Sequence, residues 1–130
     1  MIENDEDDRL LTKENFQKDW PTAVIEFVSG AELSNRLKMT CRPPHLILLS
    51  MNTRPYSGID WIKMIRSEKG YEAIPIVVLS ESALPEEIRE SYAVGASSFI
   101  KKPSGYADAL SKIKAFITYW RHTAELPSLA

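Results

Sequence analysis

Cysteine and histidine are scarce in this chain. Cys41 is its one cysteine and has no partner for an internal disulfide, and with only His45 and His122 beside it no zinc-ligand spacing arises. A dominant charge is also missing. The 16 basic and 18 acidic residues leave a net charge of −2, too small a field to argue for nucleic acid or an anionic membrane as partner. No apolar run approaches the roughly 18 residues of a membrane span. The opening MIENDEDD is acidic where a secretion signal is basic and then apolar. These absences lead us to expect a cytoplasmic protein with no metal centre.

What is present suits one domain. A hydrophobic content of 44% over 130 residues fills a single core and is too little chain for two. There is no internal repeat, low-complexity tract or interior linker; helical and strand-like patterns alternate at short spacing, as in an α/β sheet. Asp7 or Asp8 is placed to cap a first helix that runs to about Trp20, where Pro21 ends it, and Ala23 to Val28 has strand composition. A short helix is expected from Ala31 to Lys38. The stretch LILLSMN, after Pro43 and Pro44, reads as a strand from Leu46 to Ser50 covered on both faces by helices.

Gly58 opens the next helix, with Ile59, Ile62 and Ile65 at three-residue spacing toward the sheet, Trp61 at the core margin and an end near Gly70. Ile74 to Ser80 is a further apolar strand. Pro85 suits the first turn of a helix with Glu86 and Glu87 at its positive end, and Gly95 its left-handed stop. SSFI is a short strand, and Leu110, Ile113, Ile117 and Trp120 form the apolar stripe of a last helix. That makes five helices and four strands, with Met1 and Ile2 as the remnant of another strand.

Ligand-handling residues of an open parallel sheet gather at the carboxyl ends of its strands. There the sequence sets Glu3, Asn4 and Asp5, then Ser50, Ser80 and Lys102. With GASSFIKKP (Gly95 to Pro103) and PHLILL, this set resembles the receiver domain of two-component response regulators, the CheY-like family. The acidic start, Trp120 and the ELP tail are similar to small stand-alone receivers, some of which serve phytochrome-type kinases.

The resemblance implies a doubly wound, flavodoxin-like sheet of five parallel strands in the order 2-1-3-4-5, its first strand short or truncated. It implies a receiver domain over 1–121 and a C-terminal tail over 122–130. In the family, an aspartate at the position of Ser50 accepts a phosphoryl group from a histidine kinase, and acidic residues at Glu3 and Asn4 hold Mg²⁺, with Asp5 taking part if the register shifts by one. Ser80 and Lys102 would contact the phosphoryl oxygens, and Phe99 would change rotamer in the switch.

Two positions depart from that pattern. Ser50 is un-ionised at neutral pH and would form a phosphate ester rather than an acyl phosphate, and Asn4 offers Mg²⁺ a neutral oxygen where a hard cation favours anionic ones. Lys102 then has Glu3 as its nearest counter-ion, with Asn4 and Ser50 to satisfy leftover donors and acceptors.

The expectation is a degenerate receiver in a two-component pathway: not an enzyme, holding no cofactor or Mg²⁺, and acting by contact with a histidine kinase or another signalling protein. A homodimer through the fourth and fifth helices would use Tyr106, Tyr119 and Trp120 if these are not core. Phosphorylation at another side chain is the alternative. A Ser50 hydrolase is a remoter one: His45 lies at the far end of the same strand, about 16 Å away at ~3.3 Å per residue, and no Gly-x-Ser-x-Gly elbow surrounds Ser50. Ser80 has two readings, as a cap for the following loop or as a retained switch residue.

Overall fold

The computed structural model describes residues 1–29, 32–33, 35–36, 43–53 and 56–127; Cys41 lies outside them. Helix α1 (Glu6–Asp19) starts two or three residues earlier than a cap at Asp7 or Asp8 would set it. Its cap is Asp5, whose carboxylate accepts the Asp8 N–H at 3.0 Å, and three acidic residues follow in the positive first turn. Residues 32, 33, 35 and 36 are helical; the remainder of the expected helix at 31–38 lies outside the described residues. Strand β1 (Ile47–Ser50) is followed by α2 (Gly58–Ser67), capped by Ser57, and then by β2 (Ile76–Ser80). Helix α3 (Pro85–Ala93), β3 (Ser98–Lys101) and α4 (Tyr106–Thr118) complete the alternation, and one π-helical turn (Tyr119–Thr123) extends α4.

The three strands are parallel in the order β1-β2-β3, with Leu49 opposite Val78 and Val78 opposite Phe99. Five strands are expected; among the described residues three form. Where the first strand belongs there is a single parallel bridge, Ile2 to Leu49, built by Ile2 N–H on Leu48 O (2.8 Å) and Ser50 N–H on Ile2 O (2.9 Å). The cause is local. Glu3 already turns into the strand-end cluster and Asp5 opens a helix, so only Met1 and Ile2 remain to pair. Ala23 to Val28 consequently has no ladder to join: Val28 N–H reaches Met1 O at 3.1 Å and no strand develops. The lateral order of these segments is still that of a doubly wound sheet.

Side chains alternate across the sheet. Ile47, Leu49, Ile76 and Val78 face α2, where they bury Trp61, Ile62 and Ile65 completely. Trp61 is therefore core rather than margin; Tyr56 stacks edge-on against it, centroids 5.2 Å apart. Leu48, Leu79 and Ile100 face α1 and α4 on the other side.

One side chain ties the α2 face together. Arg66 donates through Nε and Nη2 to Gly95 O (2.9 and 2.7 Å) and through Nη1 to Ile74 O (2.7 Å), Tyr71 O (3.1 Å) and Glu72 O (3.2 Å). It thus joins the end of α2, the entry to β2 and the stop of α3, where Gly95 has φ +118°, a conformation that suits glycine. Burial lowers the guanidinium pKa from its ordinary value. Replacing Arg66 with Ala leaves several carbonyls short of donors and is expected to cost about 2–3 kcal/mol in urea unfolding. Arg66→Lys should recover less than half, because an ammonium lacks the planar fork.

Candidate functional site

The parallel register brings the ends of β1, β2 and β3 to one edge, beside the residue that follows the Ile2 bridge. Glu3 is 3% exposed there. Lys102, one residue past β3, is led in by its own N–H, which donates to Ser80 O at 2.6 Å. Its Nζ stands 2.8 Å from Glu3 Oε2 and 3.1 Å from Asp8 Oδ2, so one ammonium faces two carboxylates. The directed hydrogen bond goes to Asp8; the shorter Glu3 contact is one of charge, and Glu3 Oε2 has no hydrogen-bond donor among the described residues. Glu3 Oε1 accepts the Asp5 N–H at 3.2 Å, and the Arg9 guanidinium donates to the Glu3 carbonyl.

Burial by itself would lower the Lys102 pKa. Contact and charge from Glu3 outweigh it, with Asp8 adding to them, and the pKa is raised above the ordinary 10.5.

The other sequence-derived positions divide. Ser50 is buried at the same edge, 2% exposed, its N–H on Ile2 O. Ser80 is also buried, and its hydroxyl has no hydrogen-bond partner among the described residues. Asn4 and Asp5 are exposed; Asp5 serves as the α1 cap rather than turning toward Lys102. Phe99 packs partly buried against the α2-side core, and its N–H donates to Tyr92 Oη at 3.2 Å. His45 and His122 are both exposed.

Asp8, which the sequence offered only as a possible cap of the first helix, is the site residue that sequence reasoning missed. A signal existed. With Asp5 as the cap, Asp8 is the third helical residue, whose side chain turns back toward the helix N-terminus.

The family model for the response regulator receiver domain matches residues 1–114. The chain belongs to this family.

The receiver is 28% identical to the phosphorylated cyanobacterial phytochrome response regulator RcpA, with a TM-score of 0.85 over 98% of this chain and 95% of that one. Response regulator RPA3017 in red light signaling of R. palustris is 25% identical, with a TM-score of 0.82 over 98% and 96% of the two chains. Among curated proteins, response regulator Rcp1 of Synechocystis sp. is 26% identical over 85 residues, 65% of this chain and 58% of that protein. The chain spans about half the length of the first curated relatives it matches. The fold is thus the flavodoxin-like receiver fold, and no helix among the described residues is long and apolar enough to cross a membrane.

For this receiver the triad makes two measurable demands. Lys102→Met would leave two carboxylates facing each other, one of them buried, and is expected to cost about 3 kcal/mol at pH 8 by chemical denaturation. A raised lysine pKa stabilises the fold fully below the unfolded value of about 10.4, and that contribution is lost as pH climbs through the folded pKa. The gap between native and variant should therefore narrow above that pH. Ser80→Ala removes a buried hydroxyl that has no hydrogen-bond partner among the described residues and should be neutral or stabilising by up to about 1 kcal/mol in the same assay.

Proposed function

We propose that this chain is a receiver module of a two-component pathway that signals by protein contact, without phosphoryl transfer at Ser50 and without Mg²⁺. The observation that carries the reading is the double pairing of Lys102 with Glu3 and Asp8. Lysine at that place in a receiver would serve the phosphoryl group; here its charge is already answered by carboxylates. The donor set fits Mg²⁺ poorly. Glu3 is engaged with Lys102, Asn4 is neutral and exposed, and Ser50 is a neutral hydroxyl, whereas Mg²⁺ sheds water only for a well-placed set of hard, mostly anionic oxygens.

A receiver changes state when a ligand or covalent event favours one of two conformations. With Ser50 as a hydroxyl and Lys102 satisfied, that bias is missing, and the domain rests near one arrangement. Ser80 and Phe99 hold the switch positions in this reading, Phe99 packed inward. The module acts in the cytoplasm on a histidine kinase or another signalling protein. We assign residues 1–121 to its receiver unit, supported by Arg121 donating to the Asp19 carbonyl and holding the last turn against α1, and 122–130 to a tail, although the π-helical turn runs two residues past that boundary.

A homodimer through α3 and α4, the family's fourth and fifth helices, is the assembly we favour. Tyr92, Tyr106 and Tyr119 support it: they are 48%, 70% and 51% exposed on those helices and the turn that follows.

Intact mass after treatment with acetyl phosphate and Mg²⁺ tests the reading. The native chain should stay unmodified, while an Asn4→Asp, Ser50→Asp double variant gains one phosphoryl group. Millimolar Mg²⁺ should leave the native melting temperature unchanged. A phosphorylated native chain, or a clear upward shift with Mg²⁺, overturns the proposal.

A further inference from the structure

The pairing register decides what the outer edge of the sheet offers. Within a parallel ladder, the backbone N–H and C=O of successive residues point to opposite sides of the strand. Lys102 N–H donates inward to Ser80 O at 2.6 Å, and Leu79 lies opposite Ile100. Ser98, Ile100 and Lys102 therefore turn their backbone groups toward β2. Phe99 and Lys101 turn theirs outward, where β3 is the edge strand.

An outward row of backbone groups is a template for another strand. A second copy of β3 would fit it. In an antiparallel pair across a two-fold axis at Ile100, Phe99 faces Lys101 of the second copy, and the two exchange both backbone hydrogen bonds.

Two of the groups that pairing needs are already taken. Tyr92 Oη, from α3, accepts the Phe99 N–H at 3.2 Å, and Lys112 Nζ, from α4, donates to Lys101 O at 2.7 Å. The two arms come from opposite faces of the sheet, since α3 lies beside α2 and α4 packs with α1. Burial does not impose either contact. Tyr92 is 48% exposed and the Lys112 side chain 36%, so water could satisfy both polar heads without the strand. Lys112 also has Asp108 one turn away on its own helix, at 3.9 Å, yet its directed hydrogen bond goes to the strand. Between the two contacts, Phe99 C=O and Lys101 N–H have no hydrogen-bond partner among the described residues.

We propose that Tyr92 and Lys112 are edge guards, which hold Phe99 N–H and Lys101 O and so keep β3 from pairing with β3 of a second copy. The guards act on the strand edge alone, so the proposal stands apart from the helix-face dimer and from the chemistry at Ser50.

Amide hydrogen exchange read by NMR, with each rate taken relative to that of the unstructured chain, tests the native protein first. Two outward amides on one strand should behave differently: Phe99 protected by Tyr92, Lys101 close to unprotected. Tyr92→Phe should make Phe99 exchange about tenfold faster, the loss of one net hydrogen bond, and leave Ile100 unchanged. In the Tyr92→Phe, Lys112→Met double variant, sedimentation over a dilution series should show self-association beyond that of the native chain, with the Lys101 amide gaining protection as concentration rises. Protection of Lys101 separates strand pairing from association through helix faces, which leaves that N–H in water. The proposal is overturned if Phe99 and Lys101 are equally unprotected in the native chain, or if Tyr92→Phe leaves Phe99 exchange unchanged. It is overturned as well if a folded double variant associates no more than the native chain, or associates without protecting Lys101. Should the double variant not fold, the same sedimentation and Lys101 readout on Tyr92→Phe and Lys112→Met singly decides.

Discussion

Lys102 carries an ammonium to a place where only 14% of its side chain meets solvent, and a charge so placed must be paired. Its partners come from the far end of the chain. Glu3 follows the single bridge that attaches the N-terminal segment to β1, and Asp8 lies in the first turn of α1. Meeting that one requirement draws the start of the chain, the first helix and the last strand to the same edge of the sheet. Beside this pairing, α1, the sheet and α4 line a cavity of about 80 Å³.

On our reading of Ser50 as the acceptor position, that arrangement bears on how such a receiver remains a well-formed domain. The family position at the end of β1 brings a negative charge, and its loss would leave a buried lysine underserved. On the same reading, Asp8, a residue that also suits the positive end of α1, answers that deficit at 3.1 Å from Lys102 Nζ. One carboxylate thus serves the helix terminus and the buried ammonium together. On our reading this is why the module stands without metal or phosphoryl group, and why its signal passes through surfaces such as those of α3 and α4.

The sheet-facing helix 58–67, the strands ending at Ser50 and Ser80 and the glycine stop at Gly95 were legible because each follows from a local rule: three-residue apolar spacing, an unbroken apolar run, a left-handed φ. The first strand was read as a short or truncated remnant, as its single bridge shows, whereas the segment 23–28 was misread as a paired strand. Their composition suits strands, but a strand needs a neighbour with free backbone groups, and Met1 and Ile2 supply one bridge's worth. Trp61 was placed at the core margin from its position beside Ile62; its complete burial goes with the edge-on Tyr56 ring and its place in the α2-side core, which no helical periodicity reveals.

Within the site, the sequence alone determined the chemical inventory: a serine at the end of β1, an asparagine after Glu3, a lysine before Pro103, and a surplus of carboxylates at the N-terminus. Residue identity decides such things without reference to geometry. Which carboxylates reach Lys102 was settled only by the tertiary structure, since Asp5 and Asp8 are alike in sequence and differ by their position on the first helical turn. The cap points back to its own backbone; the residue three further on turns toward the sheet. The cavity between α1, the sheet and α4 is likewise formed by residues about a hundred positions apart, such as Phe16 and Phe116, which only the fold brings together.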